Sequence, residues 1–441
     1  MNRIFGTDGI RGKVNEDLTP EFILKLGKVL AEYLEEKGKI IIGYDTRISR
    51  DMLNFALQSG ILSMGIDTLD VGIIPTPGIA YLVRCLEHIS AGIVISASHN
   101  PVEYNGIKIF GKDGFKLPDN VEEEIENLLK SEAVLYRGKK IGKRIEFPEG
   151  KNLYIKFLKE VINLDLRGWK IFLDCANGSV SEIAPILYKD LGAEVVAINY
   201  NYDGTNINKN CGAVYPQIGL ENFKNSGATI GFTFDGDGDR VLAFSEKFSI
   251  VNGDKILGII ALYLKRKKKL NKNTVVGTIM TNLGLEEFLK GQDISLIRTK
   301  VGDRYILEEI LNNKLNLGGE PSGHVILFDY LPTGDGLLAS LFLLKILKEE
   351  NISLEELANS IPQYPQITEN LNLNKNYPKE ITKTLEELVK EVIRENNIRS
   401  IVRFSGTESS VLRITLEGDV PESLLEEYMK KIKNKIISFL N

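Results

Sequence analysis

The chain has 441 residues, 43% of them hydrophobic and 26% charged, with a formal net charge of -5. This length exceeds one compact core, and at about 100 to 200 residues per domain it divides into three or four units. The balanced composition excludes a chain dominated by disorder, and the mild negative charge gives nucleic-acid binding no support.

The N-terminus, MNRIFGTDGIRG, lacks the apolar core of a signal peptide, and no later segment approaches about 18 consecutive apolar residues. A cytoplasmic protein that does not enter a membrane is expected. Three cysteines, Cys85, Cys175 and Cys211, have neither the number nor the spacing of a disulfide framework or zinc site. They read as reduced structural thiols, with Cys85 and Cys175 in apolar surroundings.

Apolar runs rich in Ile and Val then recur, each ending in Gly, Asp or Asn and each followed by a helical pattern. KIIIGYDTR precedes DMLNFALQSGILSMG, WKIFLDCANGS precedes EIAPILYKDLG, and NTVVGTIMTNLG forms a third such unit. Buried parallel strands feeding helices are predicted. The basic run KRKKKL follows ILGIIALYL and reads as a helix C-terminus.

Boundaries are expected before residue 150, near Val251 to Lys255, and in SIPQYPQITENLNLNKNYP, which reads as a linker. Beyond it, a helix over 380–397, strands at SIVRFSG and VLRITLEG, and a closing helix suggest a different, α+β build. The predicted architecture is three related α/β domains with mixed sheets, 1–149, 150–250 and 251–364, and a smaller C-terminal α+β domain, 365–441.

Six glycine-bearing segments fall at loops: GTDGIRG, SASHNP with NGIK, DGDGDR, VGDR, GGEPSGH and RFSGTE. Loops at strand ends are where open α/β sheets bind ligands. In DGDGDR, Asp235, Asp237 and Asp239 repel one another unless a cation sits among them, and three protein carboxylates leave magnesium room for a substrate oxygen. A calcium loop of the EF-hand type is excluded by Arg240, which stands where that loop needs glycine.

Ser98 and His99 look like a nucleophile and its base, but neighbouring side chains at a strand end should point to opposite sides. A cation at the aspartates could stabilise charge on the serine oxygen instead. Lys108 is the nearest partner for proton transfer or phosphate, and Arg11, a glycine-flanked arginine, suits a phosphate or a deprotonated hydroxyl. Glu320, Ser322 and His324 alternate in GGEPSGH with the polarity that sugar hydroxyls demand, and Arg403, Ser405, Gly406 and Thr407 form a candidate phosphate nest. Lys108 and Arg11 as surface residues, and GGEPSGH as a plain hairpin, are the alternatives.

Together and in this order, the segments resemble the α-D-phosphohexomutase family from GTDGIRG to RFSGTE. IGYDTR, ISASHNP with NGIKIF, LDCANGS, GTIMTNLGLE, VGDRYI and PTGDGLL resemble the branch acting on glucosamine phosphates more than the glucose and mannose branch.

The resemblance implies four domains around a central cleft and an isomerase that converts glucosamine 6-phosphate to glucosamine 1-phosphate. It implies a phosphoserine at Ser98, one Mg2+ ion held by Ser98, Asp235, Asp237 and Asp239, and a sugar bisphosphate as intermediate or activator. Arg240 would contact the phosphate on Ser98, Arg11 with Lys108 would serve proton transfer, and His99 would be a positioning residue. Glu320 and Ser322 would grip the sugar, Arg403, Ser405, Gly406 and Thr407 would hold the second phosphate, and Arg304 and His324 would be further ligand contacts.

The chain departs from the family at Ser409, where proline is usual, at one extra residue before Arg413, and at Pro321, a variable position. The expected partner is a small hexosamine phosphate, and a homodimer is compatible with the reading. A metal-dependent phosphatase and a non-catalytic sugar-phosphate binder are the competing functions.

Overall fold

The computed structural model describes residues 4–6, 8–34, 38–131, 140–373, 377–378, 380–393, 397–404 and 411–440. Backbone packing divides the chain into two units, Met1–Thr278 with Ile294–Asn359, and Ile279–Asp293 with Ser360–Asn441.

The first unit contains three mixed sheets. One has seven strands in the order Phe5–Gly6, Gly9–Lys13, Tyr104–Gly111, Ile89–Ile95, Lys39–Tyr44, Thr68–Ile73 and Arg144–Glu146. The second has five, Ile250–Val251, Val241–Phe244, Ile230–Phe234, Lys170–Asp174 and Glu194–Ile198. The third has four, Ser295–Thr299, Thr274–Thr278, Leu317–Gly319 and Val325–Leu327.

The same device recurs in all three. A buried strand pairs in parallel on one side and in antiparallel on the other, and a loop joins it to the antiparallel neighbour. Ile89–Ile95 pairs with Lys39–Tyr44 and Tyr104–Gly111 in this way, Ile230–Phe234 with Lys170–Asp174 and Val241–Phe244, and Leu317–Gly319 with Thr274–Thr278 and Val325–Leu327. The joining loops are those carrying Ser98, Asp235 and Glu320.

Helices follow from local chemistry. Thr19 caps Pro20–Tyr33 by accepting from the Phe22 N–H at 3.3 Å, with proline at the first helical position. Asn252 caps Gly253–Arg266, and the basic run lies at that helix's C-terminal end as expected. Gly336–Glu350 is apolar nearly all round and accordingly buried, packed between Glu149–Ile162 and Gly253–Arg266. Its cap, Asp335, accepts from the Leu338 N–H at 3.0 Å and from the Tyr154 hydroxyl at 2.8 Å. The Gly336 N–H donates to the Gly238 carbonyl at 3.0 Å, so this buried helix braces the aspartate loop.

The second unit has a three-stranded antiparallel sheet, Gln366–Asn372, Val411–Gly418 and Ile398–Phe404, covered by Ile381–Val392 and Glu422–Leu440. Gln366–Asn372 corrects the sequence expectation of a linker. Its residues alternate between exposed and half-buried, with Ile367 and Leu371 against the core, so an edge strand is hidden in polar sequence. Cys85 also differs from expectation, being exposed where Cys175 and Cys211 are buried. No helix among the described residues is long and apolar enough to cross a membrane.

Candidate active site

Ser98 follows the strand Ile89–Ile95 and is 1% exposed. Its φ of +52° turns the chain out of the extended conformation, which corrects the expectation that neighbouring side chains diverge. His99 Nδ1 lies 3.3 Å from Ser98 Oγ. His99 is nevertheless not set up as base, because Ser98 Oγ donates to Asp235 Oδ2 at 2.7 Å. Burial, followed by the nearby cations of Arg240 and Arg11, pushes the His99 imidazole down to about 3.

The aspartates lie in the hairpin between Ile230–Phe234 and Val241–Phe244. Asp235 and Asp237 are fully buried and Asp239 is 4% exposed, and one carboxylate oxygen from each lies within 4.8 Å of the others. Backbone approach is close: a Cβ on Gly236 would stand 2.5 Å from the Ser98 carbonyl oxygen. Gly238 has a φ of +72°, which a side chain would strain.

Several observations fit a cation here. Burial, and then the charges of Asp239 and Asp237, push the Asp235 carboxyl well above the usual carboxylate range, so the cluster lacks positive charge at that corner. Asp237 directs Oδ2 to the Thr76 hydroxyl at 2.5 Å and to Lys108 Nζ at 2.7 Å, while its buried Oδ1 has no hydrogen-bond partner among the described residues. Asp239 Oδ1 is likewise buried without a hydrogen bond; His324 Nδ1 and Arg240 Nε stand 3.6 and 3.8 Å away. Three carboxylates with two unshared buried oxygens could hold a hard cation.

Lys108 is not a surface residue. It is 1% exposed, and its ammonium lies 2.7 Å from Asp237, 3.0 Å from Asp8 and 3.3 Å from Asp239. Burial works against its charge, but Asp237, Asp8 and Asp239 prevail and hold its pKa well above the usual lysine value. In this arrangement Lys108 can stabilise anionic charge and donate a proton. Arg11 stands opposite Gly106 on the adjacent strand, which places it on the same sheet face as Lys108. Arg11 also pairs with Asp8.

The GGEPSGH loop packs against the aspartate loop through a bridge between Arg240 and His324. Glu320 is 8% exposed and accepts from the Gly302 N–H at 3.2 Å, while Ser322 Oγ is buried with no partner among the described residues. Burial disfavours the Arg240 charge, yet Asp239, Asp235 and Glu320 keep it firmly cationic.

Two residues expected as ligand contacts, His324 and Arg304, are engaged by protein partners. His324 is 2% exposed; its Nε2 accepts from the Gly334 N–H at 3.1 Å, which puts the ring proton on Nδ1, facing Asp239. Arg304 directs its guanidinium to Asp119 at 2.7 Å, Glu122 at 3.2 Å and the Leu117 carbonyl at 2.6 Å, so it ties its helix to the first domain. Arg403 lies on Ile398–Phe404 of the second unit, while Ser405, Gly406 and Thr407 lie outside the described residues.

Sequence reasoning passed over Asp8, Thr76 and Lys116. Asp8 stands in a quoted motif yet reads as an ordinary turn aspartate, although it receives Arg11, Lys108 and Lys116. Thr76 opens a helix in apolar sequence, where nothing signals its bond to Asp237.

Three family models match the chain: phosphoglucomutase/phosphomannomutase, alpha/beta/alpha domain I over residues 2–135, domain II over 152–248 and domain III over 252–364. The chain is 58% identical to a phosphoglucosamine mutase of Dictyoglomus thermophilum, covering 100% of this chain and 97% of the relative. It is 47% identical to one of Thermotoga maritima, covering 98% and 99%.

Among solved structures, a phosphoglucomutase/phosphomannomutase family protein from Burkholderia thailandensis superposes with a TM-score of 0.82 at 23% identity, covering 99% of this chain and 97% of that one. The N-acetylphosphoglucosamine mutase of Aspergillus fumigatus, solved in complex with GlcNAc-6P and magnesium, superposes at 0.65 with 17% identity, covering 99% and 96%.

Proposed function

Because the chain belongs to the phosphoglucomutase/phosphomannomutase family, we propose that it is a phosphohexomutase of the isomerase class that interconverts glucosamine 6-phosphate and glucosamine 1-phosphate. The observation that carries this reading is a buried serine whose oxygen lies 2.7 Å from one of three clustered carboxylates, two of which keep an unshared buried oxygen. The relatives matched over their whole length carry the glucosamine specificity. We place the domain limits at 1–149, 150–250, 251–364 and 365–441.

In the proposed mechanism Ser98 carries a phosphoryl group. A sugar hydroxyl attacks its phosphorus and the bond to Ser98 Oγ breaks; Lys108 gives a proton to the released serine oxygen and regains one from the attacking hydroxyl, and the resulting bisphosphate reorients and returns its other phosphate to the serine by the reverse transfer. Asp235, Asp237, Asp239 and Ser98 would hold a magnesium ion, which when bound neutralises charge on the transferring phosphoryl oxygens. Arg240 steadies the phosphate carried by Ser98. Lys108, held as an ammonium, stabilises charge and donates a proton on the oxygen being released or re-formed, with Arg11 beside it.

Glu320 and the Ser322 hydroxyl, which has no partner among the described residues, bind sugar hydroxyls, and burial of Ser98 and the three aspartates limits the access of water that would otherwise take the phosphoryl group. Arg403, Ser405, Gly406 and Thr407 keep their proposed role on the second phosphate, and His99 is a positioning residue.

The test is incubation with magnesium, glucosamine 6-phosphate and a catalytic amount of a sugar bisphosphate. Formation of the 1-phosphate without release of inorganic phosphate is expected. Phosphate release in step with substrate loss would indicate a phosphatase, and binding without turnover a sugar-phosphate binder. Comparing kcat/KM on glucose and mannose 6-phosphates separates the branches of the family.

A further inference from the structure

The strand Lys39–Tyr44 is followed by Asp45, Thr46 and Arg47, and the Arg47 side chain is fully buried. All five of its N–H donors are used. Nε donates to Asp45 Oδ2 at 3.0 Å, Nη1 to the carbonyls of Pro101 and, at 3.0 Å, Tyr104, and Nη2 to the carbonyls of Ser98 at 3.1 Å and Asn100 at 2.7 Å. Three carbonyls of the loop that carries Ser98, and a fourth from the first residue of the strand after it, therefore converge on one guanidinium.

The other backbone end of Ser98 is held as well. Its N–H donates to Ser96 Oγ at 2.9 Å, and that hydroxyl donates to Asp45 Oδ2 at 2.5 Å. From the second domain, Asn208 Nδ2 donates to the Ser98 carbonyl at 2.8 Å. A non-glycine residue with a φ of +52° is strained and persists only where its surroundings fix it. Here both backbone groups of Ser98 are fixed, leaving rotation about its Cα–Cβ bond as the remaining freedom of Oγ.

We propose that Arg47, Asp45 and Ser96 are positioning residues for phosphoryl transfer: together they lock the backbone of Ser98 so that its oxygen stays aligned between the aspartates and the incoming hydroxyl. They touch neither substrate nor metal; they act through Ser98, and the proposal rests on Ser98 being the phosphoryl carrier. Lysine cannot replace Arg47, because three donors on a point charge cannot span four carbonyls and a carboxylate.

The test compares Ser96→Ala, Ser96→Thr, Arg47→Lys and Ser98→Ala for kcat, KM and folded fraction, each enzyme first primed with a sugar bisphosphate. Because a misplacement of about 1 Å can cost roughly 100-fold, Arg47→Lys should lower kcat by about that factor with KM within about threefold. Ser96→Ala, which deletes one link, should lower kcat about tenfold, and Ser96→Thr, which keeps the hydroxyl, should restore it.

Parental kcat in folded Ser96→Ala and Arg47→Lys would overturn the proposal. So would a loss that merely follows the folded fraction, or a threonine variant as slow as the alanine one. If Arg47→Lys does not fold, the Ser96 pair decides. Parental turnover in Ser98→Ala would instead defeat the phosphoserine reading itself.

Discussion

At the scale of single residues, Thr76 and Asp237 show how the proposed cation site is prepared. The Thr76 hydroxyl and the Lys108 ammonium both take Oδ2 of Asp237, so Oδ1 is left for a cation. Thr76→Val keeps the volume but frees that carboxylate to rotate. Groups that orient metal ligands typically contribute 10- to 100-fold in metal affinity, so half-maximal activity should require about 10 to 100 times more magnesium, with kcat at saturating metal nearly retained. A magnesium titration of activity measures this, and an unchanged midpoint would remove Thr76 from the site.

Arg304 gives a contrasting prediction. Its guanidinium holds Asp119, Glu122 and the Leu117 carbonyl, so Arg304→Ala should lower unfolding stability by about 1–3 kcal/mol. Its KM for the sugar phosphate should stay within about threefold of the parent. A large rise in KM with unchanged stability would return Arg304 to the ligand contacts. The resemblance could not reveal this clamp, because its partners lie some 180 positions away in sequence.

At the scale of elements, Pro20–Tyr33 and Arg50–Ser63 cross where glycine faces glycine. A Cβ on Gly27 would lie 2.3 Å from the Leu57 carbonyl oxygen, and one on Gly60 would lie 2.2 Å from that of Leu24. Gly60→Ala should therefore force the helices apart and cost about 1–3 kcal/mol, the usual range for overpacking. Chemical denaturation measures it, and parental stability would mean the crossing can relax.

Glu126 anchors the N-terminal strand by accepting from the N–H groups of Ile4 at 2.8 Å and Phe5 at 2.9 Å. Burial pushes its carboxyl up, but the Phe5 N–H, Lys130 and the Ile4 N–H outweigh it and hold the folded pKa below the ordinary value. The stabilisation is thus fully present above the unfolded pKa of about 4.3 and is lost as pH falls through the lower folded value. Corrected for its intrinsic pH dependence, amide exchange at Phe5 should accelerate as acid protonates Glu126. In Glu126→Gln it should be faster already at neutral pH, with the acid-dependent increase removed.

The helices and buried strands were legible in the sequence because their apolar spacing is strong. Gln366–Asn372 was not, since an edge strand with one half-buried face carries too few apolar residues to stand out from a polar linker.

At the scale of the whole molecule, three sheets repeat one design, and each presents a loop where a parallel strand meets its antiparallel neighbour. That repetition was readable as apolar runs ending in glycine, aspartate or asparagine. The joining of the loops was not: contacts such as Ser98 with Asp235, 137 positions apart, exist only in the folded chain. Nor does sequence distinguish Arg47, buried under the Ser98 loop, from an arginine in an exposed turn.

Lys116 bridges Asp8 in the first domain and Asp303, the first residue of the helix Asp303–Asn313, in the third, so these two domains are tied by half-buried charge independently of the cation. Removing magnesium with a chelator should accordingly abolish turnover while leaving the far-ultraviolet circular dichroism unchanged, and added magnesium should restore activity. Loss of secondary structure on chelation would make the ion structural.

The account turns on Ser98 as a phosphoryl carrier. The most direct measurement is mass spectrometry of the intact chain and its peptides after priming with a sugar bisphosphate. One phosphate on the peptide containing Ser98, discharged when excess glucosamine 6-phosphate is added as acceptor and absent in Ser98→Ala, is predicted. A chain that turns over glucosamine 6-phosphate without ever carrying phosphate at Ser98 would contradict it.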